Sequence, residues 1–494
     1  MSLKRNENRL FDFSKITSGT VFLYLFLITF LIRFPFFFRD YIDRDESTFI
    51  LLGQSWADGF LPYTQLWDLK PPLTFAFFAI LISLFGKSFI AIRLAGVLLV
   101  CITSFFTFKI ASKLTTKKAS FSAAIGCVVL LSLFGSLQGV MSEHLCMAFF
   151  MPALYLLLRN KKRHQFFLAG VLMGITVMVK LNMAFPILFI GLYIAADVFR
   201  KDSPTNVLRI ILFGLGVLLV ITATIWPYYS TGQFQIWWDS VILAPLEYTE
   251  ARRYPILKLA PFFIVVSAFL AYSWKKKILD FRNPVVQLLI VSIIGVLFSF
   301  LKGGRINGHY LIQLHPMLLI LVAVVILRTI QIYHLKITKY AALILLLIPA
   351  ESYLEYFNVI KNKIAYGTFY NGEGFSVPRY IAAHNLETKN ILFFEYHIGY
   401  WNLNTLPPST ASTHPSNLCR DELFPFYKNP RKNSLEEIRY LMEQLQPKTI
   451  VIRKGKRIFD KKEIEENQYI DDYLEKNYSL LATVENAEIL QRLE

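Results

Sequence analysis

The sequence predicts a polytopic α-helical membrane protein of about eleven spans, with juxtamembrane helices and a small C-terminal extracytoplasmic α/β domain. Three observations predict it. Of 494 residues, 54% are hydrophobic and only 18% are charged, where a globular chain is about a quarter charged. The apolar residues gather into runs long enough to cross a bilayer. The formal net charge of +17 lies entirely in residues 1–358, because residues 359–494 hold 18 basic and 18 acidic side chains. Soluble, fibrous, disordered and disulfide-framework classes are thereby excluded. In a soluble protein such a charge would suggest nucleic acid, but its confinement to the apolar part argues against that partner.

The chain begins with a basic stretch (Lys4, Arg5, Arg9, Lys15) and an apolar run from Val21 to about Phe38. Arg33, Pro35 and three Phe occupy its far end, where a cleavage site would need small residues, so an uncleaved first span is expected. Runs of membrane-spanning character follow near 90–110, 119–138, 144–158, 165–179, 182–198, 207–229, 258–273, 285–301, 310–327 and 339–357, which with 20–38 makes eleven. Pro71 to Phe85 is a short further candidate, tested by charge parity: cytoplasmic loops are enriched in Lys and Arg. If it does not cross, the clusters at 109–118, 159–163, 200–209, 275–282 and 328–339 all fall on one side with the N-terminus. If it crosses, they all move outside. It is therefore read as an interfacial or re-entrant helix, with a cytoplasmic N-terminus and an external C-terminus. On that assignment the cytoplasmic side of residues 1–358 carries 22 basic and 5 acidic residues, and the spans and outer face carry 12 of each. The charge excess is a topology signal.

Two outer stretches, 39–89 and 230–257, read as amphipathic helices on the membrane, with Phe49, Leu52 and Trp56 in the first and Phe234, Trp237, Trp238 and Val241 in the second. Interfacial anchoring by Trp and Phe accounts equally for most of these aromatics. From about residue 359 the composition is that of an aqueous domain. A helix is expected over Val377 to Asn385, a buried strand over Asn390 to Glu395, a helix over Leu435 to Gln446 after a Ser434 cap, and a strand over Thr449 to Arg453. Cys101, Cys127 and Cys146 lie in or beside apolar runs and Cys419 is alone in the tail, so no disulfide framework is implied.

The densest polar constellation is Asp43-Arg44-Asp45-Glu46, then Asp58-Gly59, Pro62-Tyr63, Asp68-Leu69-Lys70-Pro71-Pro72, Phe85-Gly86 and Arg93. Charges concentrated at a membrane surface are costly unless used or well solvated. Read singly, Asp45 and Glu46 would favour a helix N-terminus, Pro71 would start a helix and Lys70 would snorkel. Read together, this spacing resembles the first external loop of polyprenyl-phosphate-dependent GT-C glycosyltransferases. It is most similar to the branch of protein O-mannosyltransferases and aminoarabinose transferases of lipid A. The resemblance covers roughly residues 15–330, and the family shares the non-crossing segment after Lys-Pro. Met141-Ser142-Glu143-His144 occupies the place of the family's second external acidic residue. Gly170 to Lys180 resembles its glycine-rich fifth span ending in an external Lys, although Gly170 and Gly174 would also suit helix packing. Arg305, His309 and Tyr310 resemble an external Arg-x-x-x-His-Tyr motif.

The resemblance implies transfer of a sugar from a polyprenyl-phosphate donor to an envelope acceptor on the outer face of the membrane. An attacking hydroxyl or amine must lose a proton, so a carboxylate at the water–membrane boundary serves as general base. Asp45 is the expected base, with Glu46 and Glu143 orienting acceptor or base. Negative charge grows on the departing phosphate, and Lys70, Arg93, Lys180, Arg305 and His309 are the expected phosphate-binding cations. Tyr63 and Tyr310 are expected to bind substrate. The branch generally works without a divalent ion, so neither a required metal nor another cofactor is expected, and no Gly-rich nucleotide loop is present. A secondary transporter of an anionic or lipid-linked substrate is the alternative, but transporters place their binding groups near the midplane, often in inverted repeats. A non-catalytic envelope scaffold would give these charges no reason to share a cleft. The large lumenal insertion of yeast-type enzymes is missing, which favours a bacterial inner-membrane protein, expected to be monomeric among membrane lipids. The sugar and the acceptor, whether lipid A, another glycan or a protein, stay open.

Overall fold

The computed structural model describes residues 16–39, 44–159, 162–199, 206–251, 253–334, 347–460 and 462–493. Lys4, Arg5, Arg9, Lys15, Asp43, Lys161, Arg200, Lys201, Lys336, Lys339 and the first half of the expected span 339–357 lie outside the described residues. In chain order the membrane part comprises α1 (Ser18–Arg33), α2 (Arg44–Ala57), α3 (Pro72–Phe85), α4 (Phe89–Ala111), α5 (Lys117–Leu130), α6 (Ser142–Leu157), α7 (Arg163–Val179), α8 (Ala184–Val198), α9 (Val207–Ser230), α10 (Phe234–Trp238), α11 (Ala244–Ala251), α12 (Ile256–Lys275), α13 (Pro284–Gly303) and α14 (His315–Ile332). Among the described residues, seven helical segments containing α1, α4, α8, α9, α12, α13 and α14 are long and apolar enough to cross a membrane, and α3, α6 and α7 are shorter apolar helices. Polar residues start several of them. Thr17, Ser88, Thr116, Asn206 and Asn283 each accept a backbone N–H of the first turn, satisfying donors that an apolar run cannot.

Lys109 donates to Ser18 Oγ and Lys117 to the Ile16 carbonyl, so this basic cluster sits beside the start of α1. The two ends of α3 make contacts of their own. Lys70, just before it, pairs with Asp45, and Lys87, just after it, donates to the Trp401 carbonyl and Asn404. Both ends of α3 are thereby tied to other elements, Lys70 to α2 and Lys87 to the C-terminal tail. The second amphipathic stretch folds as α10 and α11 joined by a π-helical turn. It buries Trp237 and Val241 and exposes Phe234 and Trp238.

The expected span 119–138 is shorter than its hydropathy suggests. Helix α5 stops at Leu130 because the buried Arg33 guanidinium draws the following carbonyls toward itself. It donates to Leu131 at 3.1 Å, Leu137 at 2.9 Å, Gln138 at 3.0 Å and Gly139 at 2.7 Å. Beside this clamp, Arg93 of α4 pairs with Glu46 of α2, side chains only 1% and 2% exposed. The Val140 N–H also donates to Glu46 at 2.8 Å. A Cβ on Gly139 would lie 2.6 Å from Glu46 Oε2, so the turn needs glycine there. This ion pair ties α2 to α4 and to the turn that feeds α6.

Helices α7 and α9 approach closely through glycine. A Cβ on Gly170 would lie 2.1 Å from the Phe213 carbonyl oxygen, and one on Gly216 would lie 2.4 Å from that of Phe167. The glycines of the fifth span therefore serve packing, bringing its last residue, Lys180, to a fixed position.

Beyond the membrane part follow α15 (Ala350–Tyr366), α16 (Glu373–Ala383), β1 (Leu392–Phe393), α17 (Ile398–Leu403), α18 (Ser434–Arg439), β2 (Thr449–Arg453), α19 (Ile464–Asn477), β3 (Tyr478–Val484) and β4 (Ala487–Arg492). Helix α15 runs across the expected boundary at 359 and rests on the end of α1, with Ser352 donating to the Ile32 carbonyl and Tyr356 to that of Leu31. The sheet order is β1-β2-β4-β3, parallel between β1 and β2 and antiparallel elsewhere. Strand β2 matches its expected bounds, and the expected strand 390–395 contracts to two residues. The expected helix 435–446 is α18 continued by a π-helical turn, and its cap is Asn433, while Ser434 is engaged by Asp421. The β3–β4 hairpin had no expected counterpart.

Two substitutions test this packing. Gly170→Leu forces side-chain atoms into the α9 backbone and should destabilise by at least about 1–3 kcal/mol, seen as a lower melting temperature in detergent. Gly214→Leu, where a Cβ meets nothing within 4 Å, should leave it unchanged. Removing one member of the buried pair, by Glu46→Leu or Arg93→Met, should cost about 3–5 kcal/mol because the other charge is left alone. Equilibrium unfolding should show the double substitution less damaging than the sum of the singles.

Candidate active site

Asp45 and Glu46 are adjacent on α2, so their side chains leave the helix about 100° apart. Glu46 turns inward to Arg93. Asp45, at the exposed end of the first turn, turns toward a polar cluster in which, among the described residues, Lys70 and His414 donate to it. Lys70 Nζ lies 3.1 Å from Oδ2, and His414 Nε2 lies 3.2 Å from Oδ1. Asp45 and Lys70 keep 21% and 17% of their side-chain surface exposed.

Lys70 is set by the turn before it. Tyr63 donates through its hydroxyl to the Lys70 carbonyl at 2.6 Å. Its backbone is left-handed, at φ 69°, a strained conformation for an aromatic residue. The ring is buried against Phe75 and Tyr228, and the Tyr228 hydroxyl donates to the Pro62 carbonyl. Lys70 itself extends over the Phe49 ring, 5.5 Å from its centroid.

A second cluster forms where α6, α7 and the segment before α14 meet. Glu143, fully buried in the first turn of α6, pairs with Lys180 at the end of α7. Ser142 Oγ donates to Glu143 at 3.1 Å. Lys180 Nζ stands 4.6 Å from the Tyr310 ring centroid, and His309 Nε2 is 3.8 Å from Glu143 Oε1, an ion-pair distance longer than a hydrogen bond. His144 faces away: its Nδ1 accepts the Met141 N–H, and Nε2 is 2.7 Å from the Leu131 carbonyl.

The two clusters share a field. Burial by itself would raise the Asp45 carboxyl, but Lys70 first, then His414, with His309 contributing, hold it well below the usual carboxylate range. Burial acts to lower the Lys70 ammonium, yet Asp45 and Asp68, with Tyr310 and Glu143 beyond them, raise it. Lys70 is therefore firmly cationic. Its charge is divided among acidic neighbours rather than committed to one.

Asp45, Lys70, Glu143, Lys180, His309 and Tyr310 are thus brought together. Four expected site residues are placed differently. Glu46 and Arg93 are the buried pair of the scaffold and present no surface to a ligand. Tyr63 is 2% exposed and acts as a strut for Lys70. Arg305 stands apart, donating to the Tyr248 hydroxyl with its guanidinium carbon 5.0 Å from the Tyr254 ring. Arg420 of the tail approaches the same Tyr248 ring at 4.7 Å. Among the described residues, no group of three or more His, Cys, Asp or Glu could hold a metal ion.

The tail supplies what sequence reasoning missed. His414 reaches Asp45 across 369 positions of chain, with no local motif to announce it. Its segment is anchored on Trp67, whose backbone N–H donates to Thr413 Oγ1 and whose carbonyl accepts from Asn417. The Trp67 indole donates to Ser240 at 2.9 Å and meets Tyr427 edge-on. Arg44 and Glu395 form a bidentate pair, both bonds 2.9 Å, to which Lys456 adds a second cation. Trp67, one residue before the Asp-Leu-Lys motif, was visible as an aromatic beside a polar site.

Residues 69–227 match the family described as dolichyl-phosphate-mannose-protein mannosyltransferase. No curated protein matches the chain significantly by sequence. Among solved structures, ArnT from Cupriavidus metallidurans in the apo state is similar, with TM-score 0.61 and 14% identity over 97% of this chain and 99% of that one. The same protein bound to undecaprenyl phosphate gives TM-score 0.60 with the same identity and coverage. The oligosaccharyltransferase of Archaeoglobus fulgidus also matches, at 12% identity and TM-score 0.48, covering 95% of this chain and 73% of that one. The family match falls on the segment that carries Lys70, Arg93, Glu143 and Lys180, and the chain shares its fold with ArnT over nearly the whole length.

Proposed function

We propose that the protein moves a sugar from a polyprenyl-phosphate donor to an envelope acceptor on the extracytoplasmic face of a bacterial inner membrane. The observation that carries this reading is the grip on Asp45, whose carboxylate is held by one cation that a phosphate could take away and by one neutral-capable donor that it need not. Two further groups support it. ArnT is a protein for which a complex with undecaprenyl phosphate is known, and the basic clusters gather at the opposite ends of the helices from Asp45, as cytoplasmic loops do. On this reading residues 1–358 form the catalytic membrane domain and 359–494 an extracytoplasmic one.

The chemistry follows from the charges. The acceptor oxygen or nitrogen attacks the anomeric carbon, the bond from that carbon to the phosphate oxygen breaks, and the acceptor proton passes to Asp45. The electron pair left on the phosphate oxygen is stabilised by Lys70, with Lys180 and His309 adjacent. Glu143 keeps Lys180 in place, and Tyr310 covers it. In the resting state Asp45 is too weakly basic to act, since Lys70 holds its proton affinity down. When the donor phosphate draws Lys70 to itself, Asp45 loses that stabilisation and becomes a competent base. Base strength is thereby coupled to donor occupancy. The polyprenyl chain is assigned to the apolar cleft of about 410 Å³ lined by Trp56, Pro72, Leu73, Leu219, Val220, Ala223 and Pro227, which opens two residues beyond Lys70.

The test uses purified protein and radiolabelled polyprenyl-phosphate sugars. Asp45→Asn should abolish transfer at unchanged melting temperature, and Lys70→Met should raise KM for donor. The free enzyme's Asp45 is depressed, so kcat/KM should show no acid limb above roughly pH 4. The acid limb of the kcat profile, reporting the complex in which Lys70 is shared with phosphate, should lie at higher pH than that of kcat/KM. Full transfer by Asp45→Asn would remove it as the base.

A further inference from the structure

Lys70 and His414 both donate to Asp45, and they differ in kind. Lys70 comes from the same external loop and stands partly open. His414 comes from the C-terminal tail with 6% of its side chain exposed. Its ring is fixed from behind: the Ser416 N–H donates to Nδ1 at 2.9 Å, so Nδ1 carries no proton. The ring proton is then on Nε2, pointing at Asp45 Oδ1. Protonating Nδ1 would set two N–H groups against each other, and Nε2 has no vacant lone pair.

We propose that His414 is a positioning residue contributed by the tail, locked as the Nε2–H tautomer, which orients the Asp45 carboxylate by hydrogen-bond donation and does not accept its proton. This rests on Asp45 being the base. The loop and the tail thus divide the work. Lys70 is the exchangeable partner that a donor phosphate can recruit, and His414 is the permanent one that keeps Oδ1 in place after Lys70 has moved. The site is complete only with the tail docked. The groups around His414 fit a fixed neutral donor. His397 nearby is pushed down to about 3 chiefly by burial, so it adds no charge there at neutral pH. Arg44 is already matched by Glu395, and Thr413 and Asn417 on either side are tied to Trp67.

The substitutions His414→Ala and His414→Gln test this, since Gln can donate from a similar position but cannot relay a proton. In the lipid-phosphate-sugar transfer assay, His414→Ala should lower kcat by roughly ten- to a hundredfold with little change in donor KM. It should also move the acid limb of kcat to higher pH. His414→Gln should recover most of kcat and return the limb. Equal loss in both variants would mean that the imidazole exchanges protons, and unchanged kcat in His414→Ala would mean that the contact is incidental; either overturns the proposal. A second measurement needs no turnover. In ¹⁵N-histidine-labelled protein in nanodiscs, the resonance pair that disappears in His414→Gln should show a bare Nδ1 and a protonated Nε2. A protonated Nδ1 at neutral pH would overturn the tautomer lock even if no donor sugar supported transfer.

Discussion

In the proposed mechanism the site depends on a competition for one ammonium group. Lys70 has to neutralise Asp45 in the empty protein, because a carboxylate at the membrane surface without a counter-charge would be protonated or would expel its helix end toward water. The same ammonium is the natural partner of a phosphate arriving at headgroup depth. A group serving both is neither wholly structural nor free, and the rest of the architecture keeps it in between. Tyr63, held in a left-handed turn, fixes the Lys70 backbone. Burial keeps water from screening the pair, and Asp68, Glu143 and Tyr310 share its field.

Around that exchange the protein sets rigid pieces. The Arg33 clamp on four carbonyls and the Glu46–Arg93 pair lie directly beneath Asp45 and connect α1, α2, α4 and the start of α6. Buried charges of this kind are weak sources of net stability, but removing one partner is severe, so they hold the register of four elements tightly. Close approach of α7 and α9 through Gly170 and Gly216 does the same for Lys180. From above, the tail presses His414 onto Asp45 and is fastened through Trp67 and the Arg44–Glu395 pair. The tail is part of the site's construction.

Hydrophobic run lengths made the helical membrane class legible, because run length is a local quantity; among the described residues seven helical segments are long and apolar enough to cross, against the eleven expected. What misled was direction. Asp45 and Glu46 were grouped as one acidic pair, although adjacent helical residues diverge by about 100° and only one can face a given site. Arg93 sits on a helix whose outer end reaches the site, yet its side chain points to the interior. Span 119–138 ended early because of Arg33, a long-range contact that no window of hydropathy contains. His414 was invisible for the same reason. The β3–β4 hairpin alternates weakly, its β3 face being largely exposed, so periodicity alone did not separate it from a loop.

Competition between phosphate and Asp45 for Lys70 is the centre of the proposed mechanism, and proton linkage measures it directly. A non-transferable polyprenyl phosphodiester has no titrating proton of its own near neutrality, so protons exchanged on binding belong to the protein. Calorimetric titration at about pH 5, in two buffers of different ionisation enthalpy, should show proton uptake by the wild-type protein as Asp45 is released from Lys70. The uptake should be missing in Asp45→Asn, which still binds the lipid. Binding by both proteins with the same proton exchange would contradict the account, because Lys70 would then hold the phosphate without giving up Asp45.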